Sequence, residues 1–110
     1  MTIPIVITLT EGNFPCEALQ SSTPVIVYFW AEWCGPCKKV TPMLDELAVQ
    51  YEDRVKVGRV NIEEQPELAT EYGVRAVPTL LLLRRGRIAD QFIGQCSKYE
   101  LEESLYEVIG

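Results

Sequence analysis

The sequence has 110 residues, 47% hydrophobic and 24% charged, the mixture expected of one globular domain spanning 1–110. Sixteen acidic against ten basic side chains leave a net charge of −6, a field that repels phosphate backbones and argues against nucleic acid as a partner. The absence of histidine excludes imidazole bases and Cys2His2 zinc sites, and no apolar run approaches the ~20 residues of a membrane span.

In chain order, Met1-Thr2-Ile3-Pro4 lacks the basic-then-apolar pattern of a secretory signal, which leads to the expectation of a cytoplasmic protein. Ile3–Leu9 is β-branched and apolar and reads as a strand. Phe14–Leu19 reads as a short helix, followed by a loop over Ser21–Pro24. Val25–Trp30 is a continuous apolar run of strand length, the pattern of a strand buried on both faces. A helix is expected from near Cys34 towards Tyr51, with Met43, Leu44, Leu47, Ala48 and Tyr51 on the face that packs on the sheet. Pro36 suits its first turn, whereas Pro42 removes an interior backbone bond and should kink it. Val55, Val57, Val60 and Ile62 mark a third strand, and Pro66–Tyr72 a helix stopped by Gly73. Thr79–Leu83 and Ile88–Ile93 flank Arg84-Arg85-Gly86-Arg87 as a hairpin. Ser97 and Glu100 have capping-box spacing ahead of a last helix carrying Leu101, Leu105 and Val108. The order β-α-β-α-β-α-β-β-α predicts an α/β sandwich with helices on both faces. Parallel pairing comes first, and the hairpin adds an antiparallel edge.

The four cysteines lie at 16, 34, 37 and 96. Structural zinc and iron–sulfur sites bring two close pairs or a tight run, and one pair with two distant singles is neither. The pair in Trp33-Cys34-Gly35-Pro36-Cys37 stands where a buried strand gives way to a helix. Two intervening residues put both sulfurs within one helical turn, so a disulfide can close locally. At the helix N-terminus, unpaired N–H groups and the macrodipole favour a Cys34 thiolate. Cys37 lies a turn further in and should be more buried, so Cys34 is assigned to attack and Cys37 to resolve. A structural disulfide or half of a zinc site is the plainer alternative.

Phe29-Trp30-Ala31-Glu32-Trp33-Cys34-Gly35-Pro36-Cys37-Lys38, Pro42, Asn61-Ile62, Tyr72-Gly73-Val74, Val77-Pro78-Thr79 and Phe92-Ile93-Gly94, in this order, resemble the thioredoxin family over nearly the whole chain. The resemblance implies the thioredoxin fold, a three-layer α/β/α sandwich around a central mixed five-stranded sheet. It also implies a protein disulfide reductase and electron carrier, with a nucleophile pKa near 7 and a potential of about −270 mV as family values. Its partners would be disulfide-containing target proteins and a thioredoxin reductase fed by NADPH or ferredoxin. The chain itself would act as a monomer without a bound cofactor or metal. Pro78 would be cis and face the cysteines, with Trp33, Gly35, Pro36, Val77, Thr79, Ile93 and Gly94 around it as the substrate surface. A disulfide oxidase or isomerase, or a thioredoxin-fold binding subunit of a larger complex, is the alternative.

Two features depart from that family. Tyr28 stands where many members carry a buried aspartate that assists proton transfer at the second cysteine, and Arg59 stands in place of a nearby lysine. A phenol of pKa about 10 is only ~0.1% ionised at pH 7 and cannot act as that base, so Tyr28 either modulates Cys37 or fills core volume. Cys16 and Cys96 are expected on opposite sides of the sheet, hence unpaired. Cys16 reads as structural, and Cys96 as structural or as a regulatory thiol. Arg84, Arg85 and Arg87 read as a solvated hairpin tip. Glu100, Glu102, Glu103 and Glu107 read as a wet helix face.

Overall fold

A computed structural model describes residues 5–109. Its elements are β1 (Val6–Thr8), a single helical turn (Pro15–Leu19), β2 (Val25–Trp30), α1 (Cys37–Gln50), β3 (Lys56–Asn61), α2 (Pro66–Glu71), β4 (Thr79–Arg84), β5 (Arg87–Ile93) and α3 (Lys98–Ile109). The five strands form one sheet in the order β1-β3-β2-β4-β5. β1, β3 and β2 are parallel, β4 is antiparallel to β2, and β5 is antiparallel to β4. The antiparallel part therefore begins beside the central strand and is not confined to the edge. This is the α/β thioredoxin fold.

The sandwich follows from β2 and β4, whose side chains alternate between two cores. Ile26, Tyr28, Leu80 and Leu82 join α1 and α3 on one face. Val25, Val27, Phe29, Leu81 and Leu83 meet Phe14, Ala18, Leu68 and Ala69 on the other. Burial on both faces explains why neither strand alternates with polar residues, at roughly 1.5–3 kcal/mol per large apolar side chain. The helix stripes pack as read, with Leu44, Leu47, Ala48 and Tyr51 from α1 and Leu101 and Leu105 from α3 buried.

Local signals explain most element ends. The amide of Glu100 donates to Ser97 Oγ and the Glu100 carboxylate accepts from the Ser97 amide, each at 3.1 Å, which closes the capping box of α3. Gly73 ends α2 at φ +67, where a side chain would be strained. The first strand is shorter than Ile3–Leu9: it runs Val6–Thr8, and Ile3 lies outside the described residues. The expected helix over Phe14–Leu19 is one wide turn, closed by the Gln20 amide on the Pro15 carbonyl at 3.0 Å. Helix α1 runs unbroken through Pro42.

One pairing ties the ends of the helical layer. The hydroxyl of Tyr51, at the end of α1, donates to the Glu102 carboxylate on α3 and lies 3.1 Å from the Tyr106 hydroxyl. The bond to Glu102, then that to Tyr106, holds the Tyr51 phenol well above its usual pKa. Glu102 is thus half-buried and engaged, which corrects its reading as part of a wet face.

Gly58 shows how closely β3 is packed. A Cβ there would lie 2.7 Å from Leu9 Cγ, and Leu9 is only 1% exposed. Gly58→Ala should cost about 1–3 kcal/mol in urea unfolding, the usual cost of overpacking, with disulfide-reducing turnover retained by the folded fraction.

Candidate active site

Strand β2 ends at Trp30, and the six residues 31–36 carry the chain to the head of α1. The Cys34 amide donates to the Ala31 carbonyl at 3.1 Å, which fixes this turn. Cys34 and Cys37 are joined in a disulfide with their Cα atoms 5.4 Å apart, within the ordinary range. The helix begins at Cys37 rather than at Cys34. Cys34 consequently stands just ahead of it, and its Sγ accepts the Cys37 amide at 3.1 Å. The sulfur occupies the place of an N-cap oxygen, where an unpaired N–H and the positive end of the helix dipole both favour a negative charge.

The expected contrast in burial is absent from the disulfide form, because both cysteines are 3% exposed. Bonded to each other across one turn, the two sulfurs share the same cover. Asymmetry lies instead in the bonding: only Cys34 Sγ receives a backbone N–H.

Tyr28 is placed directly behind Cys37. Its hydroxyl lies 3.2 Å from the Cys37 carbonyl oxygen, to which it donates, and 3.0 Å from Thr41 Oγ1. Thr41 Oγ1 donates to the same carbonyl at 3.0 Å. Tyr28 therefore braces the first turn of α1 through the main chain of Cys37, in addition to filling core volume. Burial pushes its phenol above the usual pKa, against smaller downward pulls from the Thr41 bond and the Arg59 charge. It is a neutral donor throughout the physiological range. Arg59 lies over the Trp30 ring at 5.6 Å and reaches Tyr28 only as a charge. The indole Nε1 of Trp30 is buried with no hydrogen-bond partner among the described residues.

The second wall comes from the start of β4. The Val77–Pro78 peptide is cis, as the resemblance implies. The Gly94 amide donates to the Pro78 carbonyl at 2.8 Å, and Ile93 pairs with Thr79 across β4 and β5. This brings Val77, Pro78, Ile93 and Gly94 together, and Val77 packs on the cluster that contains both cysteines. Gly94 turns at φ +86, open only to glycine without strain. Among the residues read as a substrate surface, Trp33 is 65% and Ile93 69% exposed, and Gly35 and Pro36 are exposed beside the sulfurs. Thr79 is different. It is 2% exposed and its hydroxyl donates to the Ala76 carbonyl, so its side chain holds the loop instead of facing a substrate. Pro78 is buried as well.

The other two thiols are unpaired, as expected, and belong to different layers. Cys16 is free and exposed on the helical turn. Cys96 is half-buried against the α1–α3 core, and burial followed by the Glu100 charge pushes its pKa up to about 11. A thiol so raised is a poor nucleophile near neutrality.

Comparison with known proteins agrees with this geometry. Residues 5–107 match the thioredoxin family. The chain is 46% identical over 97 residues to "Thioredoxin 1" of Synechococcus elongatus, covering 88% of this chain and 91% of that protein. It is 44% identical over 97 residues to "Thioredoxin 1" of Nostoc sp., with the same coverage of 88% and 91%. It is 43% identical over 102 residues to "Thioredoxin" of Alicyclobacillus acidocaldarius, covering 93% of this chain and 96% of that protein.

Two measurements check the site. Because Tyr28 stays protonated, Tyr28→Phe should leave the pH profile of turnover between pH 5 and 9 unchanged while lowering stability by about 1 kcal/mol through the lost hydroxyl bond. Tyr28→Asp should add a titration inside that window, since a buried carboxyl has a raised pKa; an unchanged profile would refute a role behind Cys37. In the native oxidised protein, iodoacetamide at pH 8 should label exposed Cys16 first, with Cys96 following only as pH rises towards 11, as read by mass spectrometry.

Proposed function

The chain belongs to the thioredoxin family and is a thiol–disulfide oxidoreductase; from that premise we propose that Cys34 is its nucleophile and Cys37 its resolving thiol. The observation that carries this assignment is the Cys37 amide on Cys34 Sγ, which stabilises a thiolate at one sulfur and not the other. In the reduced protein, the Cys34 thiolate attacks a target disulfide. One target sulfur leaves as thiolate, and a mixed disulfide forms on Cys34. Cys37 loses its proton to solvent and attacks Cys34 Sγ, expelling the second target sulfur. Two electrons have passed to the target, which takes up two protons, and the Cys34–Cys37 disulfide is restored.

Tyr28 acts in this reading as a positioning residue. It holds the Cys37 main chain through the carbonyl while carrying no charge for proton transfer. Trp33, Gly35, Pro36, Val77, Ile93 and Gly94 form the face on which an extended target segment lies, with apolar contact and backbone bonds giving broad selectivity. Pro78 shapes that face from beneath, and Thr79 anchors the loop.

The partners are disulfide-containing proteins and a reductase that restores the dithiol. We assign that reductase to the NADPH- or ferredoxin-dependent kind and the protein to the cytoplasm, acting as a monomer of one domain over residues 1–110. An exposed free thiol at Cys16 suits a reducing compartment. No helix among the described residues is long and apolar enough to cross a membrane. The family match does not favour the oxidase, isomerase or binding-subunit alternatives.

Insulin reduction with equilibration against glutathione tests the assignment. The wild type should turn over with a potential near the family's value of about −270 mV. Cys34→Ser should abolish turnover, and Cys37→Ser should accumulate mixed disulfides on Cys34. A potential above about −200 mV, or turnover surviving in Cys34→Ser, would overturn the reductase reading.

A further inference from the structure

Strand β2 has two ends, and the chemistry above uses only the one at Trp30. At the other end lies an open cavity of about 240 Å³, lined by Ser22, Thr23 and Pro24 before β2, Arg54 after α1, Arg84 and Arg85 at the β4–β5 turn, and Val108 and Ile109 closing α3. Six residues of strand, about 20 Å, separate the two ends.

The charge of this cavity runs against that of the molecule. The chain carries −6 overall, yet three of its ten cationic side chains line this one space, and among the described residues no carboxylate lines it. The ion pairs among the described residues, Lys56–Glu17 and Lys98–Glu46, engage none of these arginines. Arg54 is held over the Tyr51 ring at 4.9 Å, which limits where its guanidinium can go.

The turn that carries Arg85 adds a second, independent observation. Arg84 pairs with Arg87, so Arg85-Gly86 is a two-residue hairpin loop. Both residues have positive φ, +53 and +80, as a type I′ turn requires. Glycine, asparagine or aspartate is at ease in the first of those positions, whereas arginine is strained there. Gly86 in turn is locked against the first helical turn, since a Cβ on it would lie 3.0 Å from the Leu19 carbonyl oxygen. A strained long cation is thus presented from a fixed turn into a cavity that holds two more guanidiniums.

We propose that this cavity binds a small phosphomonoester. Guanidiniums match phosphate oxygens in a planar, paired geometry, and a dianion satisfies more of the three than a carboxylate does. The Ser22 hydroxyl supplies a neutral donor for a remaining oxygen, while the Thr23 hydroxyl is held 3.2 Å from Ser21 Oγ. Pro24, Val108 and Ile109 form an apolar wall for the organic part. The site is independent of the dithiol and takes no part in its exchange.

Amide chemical shifts of the oxidised protein at low ionic strength, titrated with phenyl phosphate and with orthophosphate, test this. Phenyl phosphate should give saturable shifts at Ser22, Thr23, Arg54 and Arg85, at least threefold tighter than orthophosphate because of the apolar wall. Arg84→Gln with Arg85→Gly should weaken it at least tenfold while insulin reduction is unchanged. Glycine is relaxed at φ +53, so that variant should unfold no earlier on heating. Absence of saturation, equal affinity for the two probes, binding that survives in the double variant, or equal shifts at Lys38 and Lys98 would each overturn the proposal.

Discussion

Strand β2 lies in the middle of the sheet, and both of its faces are sealed before it delivers anything to the active site. Val25 to Phe29 are all buried, with relative exposures of at most 2%, and successive residues belong to different cores. That burial determines where the strand ends and in which direction the chain leaves it. Residues 31–36 have only to cross from a fixed strand to a fixed helix, so the position of Cys34 is set by packing far larger in energy than any contact at the sulfur. A loop between two mobile elements would leave the 3.1 Å bond from the Cys37 amide to Cys34 Sγ only intermittently made. Rigid support is what turns the general helix N-terminus effect into a specific one.

Tyr28 belongs to both parts of this arrangement. Its ring is core, 2% exposed and packed with α1 and α3, while its hydroxyl reaches the Cys37 carbonyl and Thr41. A carboxylate at this depth would have to be desolvated or protonated, at a cost of several kcal/mol if charged and unpaired. The phenol avoids that cost and still makes the bond. The arrangement therefore gains stability at the base of α1 and gives up an internal group able to take a proton. In the proposed exchange, proton traffic at Cys37 is left to solvent and to the departing thiolates.

The sequence carried the layered fold plainly because it rests on repeated, local signals: two apolar strand runs, a helical stripe at Leu44, Leu47 and Ala48, a capping box and a terminating glycine. The dithiol was equally legible, being adjacent in sequence. What stayed hidden was long-range. Nothing near Glu102 announces that Tyr51, 51 residues away, will donate to it. Thr79 reads as part of a surface motif until the buried hydroxyl bond to Ala76 is seen. Free cysteine is a buried residue type on average, and nothing in the sequence around Cys16 signals that it falls on the outward side of a single short turn. Cys34 and Cys37 were expected to differ in burial, and they differ in hydrogen bonding instead.

The acidity of the chain sharpens the problem that the active site solves. A net charge of −6 disfavours every additional negative charge, including a thiolate on Cys34. Surface carboxylates act through water and salt, however, and beyond a Debye length of about 8–10 Å their repulsion is largely screened. The Cys37 amide acts at contact and inside a buried pocket, where a hydrogen bond to a charged group contributes about 1.5–3 kcal/mol. The helix dipole adds roughly 0.3–1 kcal/mol, and Lys38 and Lys39 bring positive charge to the same first turn. Short-range terms therefore outweigh a diffuse field of the opposite sense. The molecule can stay acidic over most of its surface while keeping one sulfur poised to ionise, because the two effects operate over different distances.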